Sequence, residues 1–201
     1  MKVNQRKNFL IVILMMGVFF ALTMGLISLY FTDWLTIGQA RVLQAVYYLL
    51  MAGASLLMMK ISGYRFKDFG VFFFGLWYQL LIGLGLAAAF TFIGIFASGG
   101  YTWPGDLLYL IPSQILVGIA EELFWRGLLL KLMGELLGSK RKAVPLNALL
   151  FGLWHYPLSQ SLVTVILTAF IGLAFAAVRV ENDEQMGIPG LAFGHALMNI
   201  F

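Results

Sequence analysis

The stretch NFLIVILMMGVFFALTMGLISLYFT, Asn8 to Thr32, carries no charge from end to end. A helix needs roughly 20 apolar residues to cross the hydrocarbon core of a bilayer, and this run exceeds that. Basic Lys2, Arg6 and Lys7 precede it, as in a signal peptide, but it is too long for an h-region and shows no small-x-small cleavage site. It reads as a retained first span. Two more uncharged runs follow, Val42 to Met59 and Val71 to about Ala97. The second of these ends at Ser98-Gly99-Gly100, with a turn at Trp103-Pro104-Gly105-Asp106. A fourth helix is expected from Leu107 to about Leu137, closed by Gly138. The uncharged stretch Ala143 to Val178 is too long for one straight span, and Pro157, with Ser159 and Gln160 behind it, divides it into two helices. A last helix starts near Pro189, a residue suited to the first helical position. At roughly 1.5 Å per residue it reaches about halfway across the bilayer by Phe201.

Composition leads to the same class. Of 201 residues, 61% are hydrophobic and 11% charged, whereas a soluble domain carries about 25% charged residues. A chain this size has too little interior to hide that much apolar surface from water. The expectation is an all-α, polytopic transmembrane bundle of about seven helices, forming one membrane-embedded domain over residues 1–201. There is no cysteine, so disulfides, thiolate metal sites and cysteine nucleophiles are excluded. Trp34, Trp77 and Trp103 read as interface residues, Phe72-Phe73-Phe74 as lipid-facing or packing residues, and Gly83, Gly85 and Gly94 as points of close helix approach.

Charge gives orientation. Thirteen Lys and Arg against nine Asp and Glu leave a net charge of +4, and the basic residues sort by loop. Lys2, Arg6 and Lys7 precede the first span; Lys60, Arg65 and Lys67 follow the second; Lys131, Lys140, Arg141 and Lys142 follow the fourth. The alternate loops hold Asp33 with Arg41, then Asp106. The positive-inside rule sets the N-terminus in the cytoplasm. Topology accounts for the basic balance, and nucleic acid is not an expected partner.

Three charges stand inside a span: Glu121, Glu122 and Arg126, in AEELFWRG. Ionisable groups at membrane depth are expensive and mark functional sites. Glu122 and Arg126 are spaced i,i+4 and suit an ion pair along the helix. Glu121, turned about 100° away, projects into the bundle. Both histidines of the chain also lie at membrane depth: His155 in FGLWH and His195 in FGHALMN, with Asn199 one turn beyond His195 on the same face. Counted along the helices, Glu121 and His195 fall in the inner half of the membrane and His155 near the middle. No nucleophile elbow, glycine-rich phosphate loop or HExxH motif is present. A carboxylate beside two imidazoles suits activation of a water, with Glu121 as general base. The imidazoles and the Asn199 amide suit the water and the oxyanion of a tetrahedral intermediate.

In order and on separate spans, the glutamate pair with Arg126, the Phe-x-x-x-His ending at His155 and the His-x-x-x-Asn from His195 to Asn199 resemble the CAAX-protease and bacteriocin-processing (Abi, CPBP) family of intramembrane proteases. The resemblance covers Leu107 to Phe201. It implies a catalytic Glu121, a His155 that shares the water, an oxyanion side of His195 and Asn199, and support from Glu122 and Arg126. The implied activity is an endopeptidase cleaving membrane-associated peptides, CAAX-like or bacteriocin-type, from the cytoplasmic side, in a bacterial cell membrane and in a role such as bacteriocin self-immunity or peptide maturation. The chain departs from the pattern in ending two residues past Asn199. Despite the metalloprotease label attached to such families, no cofactor is expected. If zinc were used, its ligands would be Glu121, His155 and His195, with no evident acceptors behind the histidines to fix their tautomers. Two other classes compete: a non-catalytic scaffold or immunity protein that sequesters a peptide in the same cavity, and, less favoured, a proton-coupled transporter relaying through Glu121. The second would call for interrupted helices in matching halves, and none is apparent.

Overall fold

The computed structural model describes residues 5–32, 34–98 and 106–201. Within these it is all helical: α1 Gln5–Phe31, α2 Ile37–Ile61, α3 Leu76–Ser98, α4 Leu107–Leu136, α5 Lys140–Trp154, α6 Leu162–Glu181 and α7 Ile188–Ile200. A 3-10 turn at Phe66–Phe69 precedes α3, and one helical turn at Tyr156–Ser159 separates α5 from α6. Among the described residues, α1, α2, α3, α4 and α6 are long and apolar enough to cross a membrane. The protein is a multi-pass integral membrane protein. The expected turn at Trp103-Pro104-Gly105, and Trp103 itself, lie outside the described residues.

Local chemistry sets the helix ends. Thr36 and Gln39 form a reciprocal capping box at the start of α2, Asp106 accepts from the Tyr109 amide at the start of α4, and Ser161 caps α6 through Thr164. Gly138, at φ 68°, closes α4 as expected. The third helix starts later than Val71. Gly70 (φ 86°) and Gly75 (φ 63°) take left-handed backbone on either side of Val71–Phe74, a conformation that a continuous helix excludes. Gly70 is doubly constrained, because a Cβ there would stand 2.6 Å from the Arg179 guanidinium.

The helices pack as α5 along α6, α3 along α7, and α4 along both α7 and α2. Backbone approaches backbone at the α3–α7 crossing. A Cβ on Gly83 would strike the Gly190 carbonyl, one on Gly190 would lie 2.5 Å from the Gln79 carbonyl, and one on Gly194 2.6 Å from that of Gly83. Gly83 therefore acts as expected. Gly85 and Gly94 do not, since nothing stands within 4 Å of a Cβ at either. Phe73, Phe74, Trp34 and Trp77 face outward, each at least 69% exposed.

At the end of the bundle that carries the basic loops, ion pairs tie α5 and α6 to the α6–α7 connection. Asp183 is bound by both Lys140 and Arg179, and Arg141 pairs with Glu181 at 2.8 Å. Partial burial would raise the Asp183 pKa, but the hydrogen bonds and charges of Lys140 and Arg179 outweigh it and hold the carboxyl below its ordinary value. A depressed folded pKa means that this tie is present at neutral pH and lost only as pH falls through that lowered value.

Gly83→Leu should lower the melting temperature of the detergent-solubilised protein by several degrees, because overpacking a close contact costs ~1–3 kcal/mol. Gly85→Leu, two residues along, should leave it unchanged. Equal effects on differential scanning fluorimetry would refute the crossing as described.

Candidate active site

Five buried or half-buried side chains converge on the middle of the bundle. Glu121, Glu122, Arg126 and His195 are each at most 3% exposed, while His155 is half-buried. Glu122 Oε1 lies 3.1 Å from Arg126 Nη1 and accepts from His195 Nδ1 at 2.8 Å. The expected i,i+4 pair forms, and Glu122 also holds the helix opposite. Glu121, pointing elsewhere as expected, sets its Oε2 at 3.7 Å from His195 Nε2. That separation is too long for a direct hydrogen bond. Among the described residues Glu121 Oε2 has no hydrogen-bond partner, although it is buried. Its other oxygen accepts from the Tyr48 hydroxyl at 3.3 Å.

The local backbone of α4 changes register at this point. Leu123–Leu129 is π-helical, a widened turn that tends to mark functional sites. The Trp125 carbonyl takes the amide of Leu130, five residues on, and also the Asn147 side-chain amide at 3.0 Å. Gly127 lets α2 approach, since a Cβ there would stand 2.7 Å from Met59 Cε. The Arg126 guanidinium lies 4.1 Å from the Phe151 ring centroid and 5.6 Å from that of Phe175, which places a cation against two aromatic faces in a desolvated setting. Both rings also meet His195 edge-on, at 6.1 and 5.9 Å.

His155 terminates α5, and its Nδ1–H donates to the Phe151 carbonyl at 2.8 Å. The two histidines are thus alike. Each spends Nδ1 on an acceptor of its own, Glu122 for His195 and a backbone carbonyl for His155, so Nε2 is the nitrogen left for other partners. This corrects the expectation that the histidines lack dedicated acceptors: the Glu122 partner comes from another helix, 73 residues away in sequence. Such acceptors also stand behind metal-bound histidines. Even so, among the described residues no group of three His, Asp or Glu side chains is placed to hold a metal ion. Glu121, His155 and His195 as they stand do not form the set of three that a catalytic zinc requires.

Glu121, His155, His195 and Asn199 line one cavity of about 940 Å³. Of the two histidines, His195 stands within 4 Å of Glu121, while His155 faces the same space from α5. Asn199 donates to Gln114 Oε1 at 3.1 Å, which leaves its second amide hydrogen for a ligand. The cavity extends from Glu121 toward the end of the bundle opposite the basic loops, not toward them. Tyr48, Gln114 and Phe175 were missed in the sequence. In an apolar span an aromatic or an amide looks like packing, and only the fold brings Tyr48 to Glu121, Gln114 to Asn199, and Phe175 to Arg126 and His195.

Residues 102–201 match the family model of type II CAAX prenyl endopeptidase Rce1-like proteins. By this half of its length the chain belongs to the Rce1-like family. Searches of curated proteins and of solved structures gave no match. The Rce1-like family is one of membrane-embedded CAAX-type proteases, so its members act on peptides at a lipid bilayer. Tyr48, on α2, lies outside the matched residues.

Breaking a buried ion pair on one side typically costs ~3–5 kcal/mol, because the remaining charge is left uncompensated. Glu122→Gln should therefore lower thermal stability markedly, read by tryptophan fluorescence in detergent. Adding Arg126→Leu should restore much of the loss. A double variant no more stable than Glu122→Gln alone would show that Arg126 does not depend on this charge.

Proposed function

We propose that the protein is an intramembrane endopeptidase in which Glu121 activates a water molecule, with a membrane-associated peptide, CAAX-like or bacteriocin-type, as substrate. The observation that carries this reading is the buried, unpartnered Oε2 of Glu121, facing His195 Nε2 at 3.7 Å across the wall of a large cavity. Polar atoms at that separation are commonly bridged by water. Tyr48 occupies the other oxygen of Glu121 and so turns Oε2 toward the cavity.

In the proposed reaction a water bound by Glu121 Oε2 and by the imidazoles gives one proton to Glu121 while its oxygen attacks the scissile carbonyl carbon. The carbonyl π pair moves to oxygen. The Asn199 amide donates to that oxyanion, and His195, held through Nδ1 by Glu122, presents Nε2 to the same space. When the intermediate collapses, the C–N bond breaks and Glu121 returns its proton to the leaving amine. Glu122 and Arg126 serve indirectly: they hold His195 and keep the π-helical turn closed around it. The charge pattern supports an N-terminus in the cytoplasm, and a bacterial membrane with a role in peptide maturation or bacteriocin self-immunity fits the resemblance. No step passes through a metal.

Glu121→Gln keeps the shape of the site and removes the base. Assayed with a quenched hydrophobic peptide library in detergent, it should lose cleavage while retaining the wild-type melting temperature. Wild-type activity should survive dialysis against a strong chelator. Retained cleavage in Glu121→Gln would refute the base assignment. Peptide binding without cleavage by either protein would favour a sequestering scaffold, and activity lost to the chelator and restored by zinc would replace the metal-free reaction.

A further inference from the structure

The cavity that contains Glu121 is strongly asymmetric along the membrane normal. Its lining comes from the C-terminal third of α1 (Thr23 to Phe31), the N-terminal half of α2 (Ile37 to Tyr48), the last turns of α3 (Phe90 to Ile95) and the N-terminal half of α4 (Tyr109 to Glu121). These helices alternate in direction, so all four segments lie toward one end of the bundle. That end carries half-buried Arg41 and exposed Asp106, paired at 2.9 Å. The α7 residues that line the cavity, His195, Met198 and Asn199, lie in the half of that helix farther from the basic loops.

The other side of Glu121 is filled. Phe124, Trp125, Leu128, Leu129 and Met133, which follow it on α4, are at most 1% exposed and pack with Met59 and Phe69. Among the described residues, the pocket found at this end, between Arg126, Lys140 and Arg179, has about 10 Å³, roughly the room of one water molecule. The Lys140–Asp183–Arg179 tie closes it further. This sealed end also bears Lys60, Arg65, Lys67, Lys131 and Lys140 to Lys142, the residues that the positive-inside rule sets in the cytoplasm.

From these two observations we infer that substrate reaches Glu121 from the outer, non-cytoplasmic face of the membrane, as an apolar peptide segment entering between the outer halves of α1, α2, α3 and α4. This reverses the cytoplasmic approach expected from the sequence. The wall chemistry fits such a segment: aliphatic and aromatic side chains dominate, with Gln44, Gln114 and Asn199 supplying hydrogen bonds for a peptide backbone. The peptide nature of the ligand rests on the protease reading, but the side of entry does not.

The absence of cysteine allows a direct test on the full chain in intact cells. Thr91→Cys places a thiol on the cavity wall, and Lys67→Cys one in the basic loop. A membrane-impermeant maleimide added outside should label Thr91→Cys and spare Lys67→Cys until the cells are permeabilised. Labelling of Thr91→Cys only after permeabilisation, or at no stage, overturns the inference, as does labelling of Lys67→Cys in intact cells. A parallel arm uses a quenched hydrophobic peptide carrying a charged, impermeant tag. Intact cells should cleave it, with the activity lost in Glu121→Gln. Cleavage confined to permeabilised cells overturns outer entry. Correct labelling with no cleavage under either condition leaves outer entry standing and removes the protease reading instead.

Discussion

One buried carboxylate organises the centre of this protein. Glu122, with no solvent exposure, lies against Arg126 on its own helix and accepts from His195 on α7. An uncompensated charge at this depth would be prohibitive, so all three residues must be placed together or not at all. Arg126 extends the requirement to α5 and α6, because its guanidinium lies against Phe151 and Phe175. Four helices are thereby fixed by one ion cluster, in a medium where apolar contact alone gives little preference for one arrangement over another.

The cluster leaves a division of labour between adjacent glutamates. Glu122 is committed through Oε1 to Arg126 and His195, with its Oε2 buried and away from the cavity chemistry, whereas Glu121, about 100° around the helix, keeps a buried oxygen without a hydrogen-bond partner beside the cavity that it lines. Fixing His195 through Nδ1 orients its Nε2 toward that oxygen. His155 is fixed in the same way by a backbone carbonyl. The glycine contact of α3 with α7 bears on the same geometry, because it sets how closely the helix carrying His195 can approach. Packing and chemistry are coupled at this crossing.

The spans were legible in the sequence because bilayer thickness imposes a length on apolar runs, and five helices meet it. The start of α3 was not, because Gly70 and Gly75 gave no outward sign of left-handed backbone within an uncharged run. The three motifs placed Glu121, His155, His195 and Asn199 on one cavity, since each is polar where polarity is costly. What joins them was hidden. The Glu122–His195 bond spans 73 residues, Tyr48 looks like any aromatic in a span, and no pattern announces that Leu123–Leu129 is π-helical. Small residues misled in the other direction: Gly83 packs and Gly85 does not, because one faces α7 and the other does not.

Glu122 and the Phe151 carbonyl fix the two imidazoles through Nδ1, so that Nε2 of each is left for other partners. Nitrogen-15 NMR of histidine-labelled protein reads this directly. The Nδ1 of both His155 and His195 should be protonated, and the His195 Nδ1 resonance alone should move in Glu122→Gln. An unprotonated Nδ1 on either ring, or a His195 spectrum indifferent to Glu122, would contradict the account.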